Sequence, residues 1–384
     1  MRNIELFEEL YKAYLRCSKG KRKKPQTIKF EKNLEQNLLL LCDELINRSY
    51  KPSPYSVFIV NKPVKREIFA AHFRDRVIHH FLMQRINPLF ESVFITDSYA
   101  CRKGKGTLYG VKRIFDHIYN CSHKYTKDCY VLKLDISGFF MSISREILLV
   151  IVLNFVELNY HKKDKSLIKY LCTTIILTIP VEGAIKLGSS KNWDGLPKNK
   201  SLFYSKSGHG LPIGNLTSQV FANFYMHDFD SFVKEELKIK YYGRYVDDFI
   251  ICNQNKNELK KLIPVIKQKL LIDLKLELHP KKIYLQHYKK GVQFLGAYLK
   301  PGRVYIGNHT KENFYPKNHK LTLIKNTISS TQNDILAVVN SYLGLMRHFN
   351  SYKIRKRQVL KLIKTPKFSF YTSNDFLKIS KKQH

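Results

Sequence analysis

Long apolar runs are missing from this chain. The longest, Ile147 to Val156, spans about ten residues and Asn154 interrupts it, far short of the roughly 20 that a bilayer crossing needs. The opening MRNIELFEEL carries acidic residues and no apolar h-region, so a signal peptide is not expected. CxxC pairs are lacking too. Cys17, Cys42, Cys101, Cys121, Cys129, Cys172 and Cys252 form an odd, scattered set. That argues against a disulfide framework or a zinc site and predicts reduced thiols in a cytoplasm. Acid is scarce: 31 Asp and Glu stand against 67 Lys and Arg, a net charge of +36. What is there is enough to fold. Of the 384 residues, 44% are apolar and 13% aromatic, too many for a disordered tail, and the length allows two or three structural units. A folded chain this basic repels itself unless something anionic neutralises it. Because the excess runs along the whole length, it points to nucleic acid. A membrane surface fits less well, since such proteins concentrate their basic residues in one amphipathic helix or tail.

Residues 1–50 read as helical, with Leu6, Leu10, Ala13 and Tyr14 on one apolar face and Leu34, Leu38, Leu41 and Leu45 on another. Between them lies a basic loop from Lys19 to Pro25, either a solvated turn or a phosphate contact. Val57–Val60 reads as a strand before a turn at Asn61-Lys62-Pro63. The spacing from Phe73 to Phe90 predicts a helix that stops near Pro88. Residues 131–136 read as a strand, followed by a helix from about Ser144 to Glu157. Residues 180–211 hold five of the 17 glycines and read as a loop or small insertion. A helix is expected from about Leu216 to Lys238, then strand, two-acid turn and strand over Tyr241–Asn253. Glu258–Leu271 is helical by period, and Leu274, Leu276 and Leu278 alternate with polar residues as a half-exposed strand would. Further on, Ile335, Val338, Val339, Tyr342, Met346 and Phe349 make a helical stripe, before the basic cluster Lys353, Arg355, Lys356 and Arg357. The order strand–helix–helix–hairpin–helix–strand suggests an α+β core of ferredoxin-like type with helical ends.

In so basic a chain, acids inside apolar strands need a reason. Asp247-Asp248 sits between Tyr245-Val246 and Phe249-Ile250-Ile251, and Asp135 closes the Val131–Ile136 strand. Adjacent carboxylates there repel each other and lose hydration, and a bound divalent cation removes that cost. Taken alone, Asp247-Asp248 is a polar hairpin turn. With Asp135, three carboxylates on neighbouring strand ends suit two Mg²⁺ ions. Two such ions about 4 Å apart activate a 3′-hydroxyl and stabilise leaving pyrophosphate.

Tyr245-Val246-Asp247-Asp248 resembles the YxDD motif of reverse transcriptases. The segment from Val131 to Phe140 resembles their first catalytic motif, a strand ending in aspartate with an aromatic five positions on. The resemblance implies a right-hand polymerase fold with fingers, ferredoxin-like palm and helical thumb. It implies that Asp135, Asp247 and Asp248 hold two Mg²⁺ ions (or Mn²⁺ in their place), with Ile136 lending its backbone carbonyl. Phe140, otherwise a core aromatic, becomes the gate under the sugar that clashes with a ribose 2′-OH and selects dNTPs. Trp193-x-Gly195-Leu-Pro197-x-x-Lys200-Ser-Leu-Phe203 and Gly210-Leu-Pro-Ile213-Gly214-Asn215-Leu-Thr-Ser218-Gln219 look like the reverse transcriptases of diversity-generating retroelements. Most reverse transcriptases have Gln-Gly where this chain has Ile213-Gly214, and lack the following Ser-Gln. Gly214 allows close backbone approach, and Asn215 or Ser218 is a candidate cap for the next helix. An apolar Ile213 cannot make the hydrogen bonds of the residue it replaces, which fits the family's mutagenic copying at template adenines.

The resemblance spans about residues 55–360. In the fingers it covers Lys65 to Ala71, Phe73 to His80 and Asp97 to Thr107. Among their cations Lys65 and Arg66 are the first choices for the nucleotide triphosphate, followed by Arg102 and Lys105. Lys281-Lys282 resembles the motif whose lysine protonates pyrophosphate, with a solvated turn as the alternative. Gly291–Gly296 resembles the primer grip, and Ser341–His348 with its basic continuation the thumb. The division implied is a basic helical extension at 1–50, fingers at 51–130, palm at 131–300 with the 180–210 insertion, and thumb and tail at 301–384. The partners implied are template RNA, an RNA/DNA primer–template duplex, dNTPs and a small basic accessory protein oligomer, with no membrane. Two alternatives stand beside this reading. One is a retron, group II intron or phage-defence reverse transcriptase, and the other a non-catalytic RNA-binding scaffold.

Overall fold

The computed structural model describes residues 3–61, 64–308, 311–312, 332–364, 370–373 and 375–381. Helices and sheets are mixed throughout. The chain forms two compact units, one of Met1–Lys103, Lys133–Phe249 and Lys261–Ile283, the other of Gly104–Leu132, Ile250–Lys260 and Tyr284–His384. No described helix is long and apolar enough to cross a membrane, and all seven cysteines are free thiols.

The first unit opens with α1 (Asn3–Ser18), α2 (Pro25–Glu31) and α3 (Leu34–Ile46). Their buried faces carry Leu6, Leu10, Ala13 and Tyr14, then Leu38, Leu41 and Leu45, while Lys19 to Lys24 stay exposed. Strands β1 (Ser56–Val60) and β2 (Arg66–Ala70) pair antiparallel, Val57 opposite Phe69. The turn expected at Asn61-Lys62-Pro63 lies partly outside the described residues. Helix α4 (Phe73–Val93) does not stop at Pro88 but runs five residues past it. Proline removes one backbone bond and crowds the preceding turn. Here Phe90 outweighs that, fully buried and stacked on Phe224 at 3.9 Å between centroids.

In chain order there follow α5 (Thr107–Cys121), which belongs to the second unit, and β3 (Tyr130–Asp135), which runs from the second unit into the first. Next come α6 (Phe139–Ser142), α7 (Arg145–Asn159) and α8 (Lys165–Leu177). Ser144 caps α7 by accepting from Ile147 N at 3.3 Å. Residues 180–211 supply β4 (Ile185–Lys186), which pairs parallel with β1, and three short 3₁₀ turns. The single helix expected over 216–238 is broken. It comprises α9 (Leu216–Tyr225), α10 (His227–Ser231) and a π turn over Phe232–Glu236. Leu237 N reaches back five residues to Phe232 O, the spacing of a π turn, which widens the helix where 3.6-residue periodicity predicts none.

Strands β5 (Tyr241–Tyr245) and β6 (Asp248–Asn253) form the expected hairpin, and α11 (Lys256–Leu274) follows. The strand expected over Leu274–Leu278 is not formed. Lys275 takes a left-handed φ of 53°, and Leu276 N folds back onto Leu270 O at 3.0 Å. Only Leu278 pairs, in an isolated bridge with Ile136. The alternating leucines are buried by a helix end and its turn, which mimic the period of a strand. The fourth strand is instead β7 (Tyr284–His287), and the sheet order is β5-β6-β3-β7.

The second unit holds the antiparallel run β8 (Val292–Phe294), β9 (Ala297–Lys300) and β10 (Arg303–Ile306). It ends in α12 (Gln332–Met346), α13 (Tyr352–Ile363) and the hairpin β11 (Phe370–Thr372) with β12 (Ile379–Lys381). Ile335, Val339, Leu343 and Met346 pack with Val359, Phe370 and Ile379. Within the basic cluster, Arg355 is buried and donates to Ser351 Oγ at 3.0 Å, so it serves this packing rather than an outside phosphate. Lys353 and Lys356 remain exposed.

Candidate active site

Strand alternation places Lys133 and Asp135 on one face of β3, with Leu132 and Leu134 buried on the other. Asp135 therefore reaches the strand end partly buried. β5 and β6 are joined by only two residues, Val246 and Asp247. Val246 has φ 58° and Asp247 does not share the left-handed region, the pattern of a type II′ hairpin turn. Ile136 N donates to Asp247 O at 3.3 Å, which ties this turn to the end of β3. The three aspartates thus stand on the ends of neighbouring strands.

Two lysines share the carboxylates. Lys133 Nζ lies 2.9 Å from Asp248 Oδ2, and Lys282 Nζ lies 2.8 Å from Asp135 Oδ1. Lys282, not Lys281, is therefore the lysine that meets the acids. The sequence reading missed Lys133, although its two-residue spacing from Asp135 is the signal that finds it. Burial, then the charge of Asp135, pushes Asp247 up to about 6. Burial also pushes Asp248 up to about 6, against the lowering effect of Lys133. Asp248 Oδ1 is buried with no hydrogen-bond partner. A buried, unpartnered carboxylate oxygen beside two other acids is a hard oxygen ligand set, which suits a divalent cation. Among the described residues no three or more His, Cys, Asp or Glu side chains converge on one point as ligands of a single ion.

Five residues past Asp135 the chain enters an apolar floor. Phe140 and Ile213, distant in sequence, both pack against the cluster of Tyr55, Val57, Phe69, Ala71, Met141 and Leu202. Ile213 O accepts from Phe69 N at 2.8 Å. Gly214 has φ 120°, and a Cβ there would meet Ile68 Cγ2 at 2.9 Å and Phe69 O at 3.2 Å, so the close approach requires glycine. Asn215 occupies the N-cap position of α9, but its side chain makes no cap. It bonds β2 instead, accepting from Ala71 N at 3.2 Å and donating to Phe69 O at 3.0 Å.

A further residue escaped the sequence reading. Glu67 is fully buried and accepts from Trp193 Nε1 at 2.7 Å, Ser201 Oγ at 3.0 Å and Leu202 N at 2.8 Å. It fastens the 193–202 segment to β2. Lys65 donates to Asp194 O of that segment at 2.6 Å, and Arg66 is exposed at the start of β2. Lys65 is thus engaged with that segment, while the charge of Arg66 reaches Tyr245, two residues before Asp247. Arg102 is committed internally, to Glu91 at 2.8 Å and to the carbonyls of Ile95 and Ser98, over the Phe94 ring. It does not point a free guanidinium at a triphosphate. Lys105 lies in the other unit, over Tyr109.

The chain belongs to the reverse transcriptase (RNA-dependent DNA polymerase) family, whose model matches residues 61–299. Members of that family depend on divalent metal ions. Among curated proteins it is similar to Protein YkfC of Escherichia coli K12, 24% identical over 300 residues, which cover 69% of this chain and 72% of that protein. Among solved structures it resembles apo telomerase from Candida tropicalis, at TM-score 0.49 and 14% identity over 76% of this chain. It also resembles Candida albicans telomerase in complex with a fragment of telomeric RNA, at TM-score 0.46 and 12% identity over 84% of this chain. The chain spans 52% and 62% of those two telomerase chains.

Proposed function

We propose that this chain is the RNA-directed DNA polymerase of a diversity-generating retroelement, copying a template-repeat RNA into cDNA with substitutions opposite template adenines. The observation that carries the polymerase reading is the meeting of Asp135, Asp247 and Asp248 at adjoining strand ends, with an orphaned Asp248 oxygen. In this reading those residues and the Ile136 carbonyl hold two Mg²⁺ ions, which supply charge stabilisation to the attacking 3′-hydroxyl and the leaving pyrophosphate. Phe140 lies under the sugar and excludes a 2′-OH. Lys282 leaves Asp135 to donate a proton to pyrophosphate. Lys65 exchanges the Asp194 carbonyl for a triphosphate oxygen, with Arg66 beside it.

The retroelement assignment rests on Ile213-Gly214 and Ser218-Gln219. Ile213 packs against the same apolar cluster as Phe140, so that position offers the incoming base shape without hydrogen bonds, and wrong pairs lose less there. Within this reading residues 51–130 act as fingers, 131–300 as palm and 301–384 as thumb. Template RNA, the primer–template duplex and a small basic accessory protein oligomer are the partners.

Copying a defined RNA of all four bases and sequencing the cDNA tests the assignment. Errors clustered opposite adenine, and reduced by Ile213→Gln, are expected. Accurate cDNA from the unaltered chain would move the assignment to a retron or intron polymerase.

A further inference from the structure

Among the described residues Arg244 is the largest fully buried side chain, and none of the motifs above includes it. Its Nε donates to Asp230 Oδ1 at 2.8 Å and its Nη2 to Asp230 Oδ2 at 2.5 Å, a two-pronged pair. Tyr242 OH adds a third bond to Asp230 at 2.6 Å. The guanidinium also reaches Asn223 O at 3.3 Å and Ser98 Oγ at 3.4 Å. Its backbone is pinned as well, since Arg244 N donates to Asp97 O and Arg244 O accepts from Tyr99 N. A buried ion pair is a weak source of stability, and apolar residues of similar volume often serve the fold as well. Its presence two residues before the acidic turn therefore calls for another use.

The remaining bond supplies one. Arg244 Nη1 donates to Val246 O at 2.9 Å. Val246 is β-branched and sits at φ 58°, a conformation such residues rarely adopt and one that this turn type ordinarily gives to glycine. Val246 O and Asp247 N belong to one peptide plane, so a clamp on that carbonyl sets the plane from which Asp247 departs. On the other side, Ile136 N holds Asp247 O.

We infer that Arg244 is a positioning residue: held by Asp230, it clamps the Val246 carbonyl and thereby orients Asp247 and Asp248 toward divalent cations. The inference rests on the polymerase reading for what those acids do, and its test separates the two. Arg244→Lys keeps a charge opposite Asp230 but loses the planar fork that reaches Val246. Arg244→Met/Asp230→Leu removes both charges together. The measurements are Mn²⁺ binding by electron paramagnetic resonance without substrate, kcat and KM for dNTP in primer extension, and thermal unfolding.

Both variants are expected to fold, to bind Mn²⁺ about 10-fold or more weakly and to lose kcat by about 10–100-fold. KM is expected to stay within about threefold. Adding Val246→Gly to the double variant should restore much of the Mn²⁺ affinity, because glycine takes the positive φ without a clamp. A merely structural role predicts no such rescue. Wild-type Mn²⁺ affinity and kcat in a folded Arg244→Lys would overturn the inference. So would failure of both variants to fold, which assigns Arg244 to the scaffold alone. A wild-type chain that binds Mn²⁺ but extends no primer counts against the polymerase reading and leaves the clamp judged by Mn²⁺ affinity.

Discussion

Replacing Glu67 by glutamine should release the 193–202 segment from β2. Glu67 Oε1 accepts from Trp193 and Ser201, and Oε2 accepts from Leu202 N. A glutamine that keeps the first two bonds turns its NH₂ toward the Leu202 N–H, donor against donor. The flipped amide leaves Trp193 Nε1 and one of its own N–H groups without acceptors, although the Ser201 hydroxyl can turn to accept the other. Either way at least two buried donors lack partners, at about 1–3 kcal/mol each. A cost of about 2–4 kcal/mol raises the population with the segment detached by roughly 30-fold or more. Trp193 is the only tryptophan, so its fluorescence reports this segment alone. Glu67→Gln should red-shift the emission, raise acrylamide quenching and speed tryptic cleavage at the exposed Lys191, Lys198 and Lys200. Unchanged emission, quenching and cleavage would refute the argument that this carboxylate fastens the segment.

Three further outcomes follow from the same geometry. Gly214→Ala should cost about 1–3 kcal/mol through overpacking against Ile68 and Phe69 and raise KM for dNTP in primer extension more than it lowers kcat. Burial, with the nearby charges of His80 and Arg76, holds His79 down to about 3, and its Nδ1 has no hydrogen-bond partner. Below about pH 6.5 the unfolded chain therefore takes up a proton that the folded chain refuses. Stability should fall by about 2 kcal/mol between pH 7 and pH 5 from this group, and His79→Leu should remove that part of the loss in denaturant titrations. Reversing the exposed charges of Lys19, Lys21, Lys23, Lys24, Lys353 and Lys356 should flatten the salt dependence of RNA binding by about 0.7 per lost phosphate contact, with nucleotide affinity unchanged. A filter-binding series over salt would show it.

What the sequence discloses here depends on whether a residue obeys the local period. The β3 strand is legible because Leu132 and Leu134 alternate with Lys133 and Asp135, and the β5–β6 hairpin because a two-acid turn leads into the continuous apolar run Phe249–Cys252. The same alternation misleads at Leu274–Leu278, where a helix end and a turn bury every second residue. Pro88 misleads in the opposite direction, because the stacking of Phe90 on Phe224 is a long-range contact. Asn215 stands where a cap belongs and bonds β2 instead. Glu67 and the Arg244–Asp230 pair are invisible from local pattern. A charged residue in a strand reads as solvent-facing until distant partners are known, and those partners lie 126 and 14 positions away. Lys133 is the exception, readable from β3 alone once Asp135 is placed.

In the proposed function Asp135, Asp247 and Asp248 carry nucleotidyl transfer on an RNA template. Primer extension with Mg²⁺ and dNTPs, comparing the unaltered chain with Asp247→Ala/Asp248→Ala, tests it most directly. Extension should yield cDNA from the unaltered chain and none from the variant, with RNA binding retained in both. Equal extension by the two would rule this out, as would silence from the unaltered chain even with cognate RNA and the proposed accessory protein supplied.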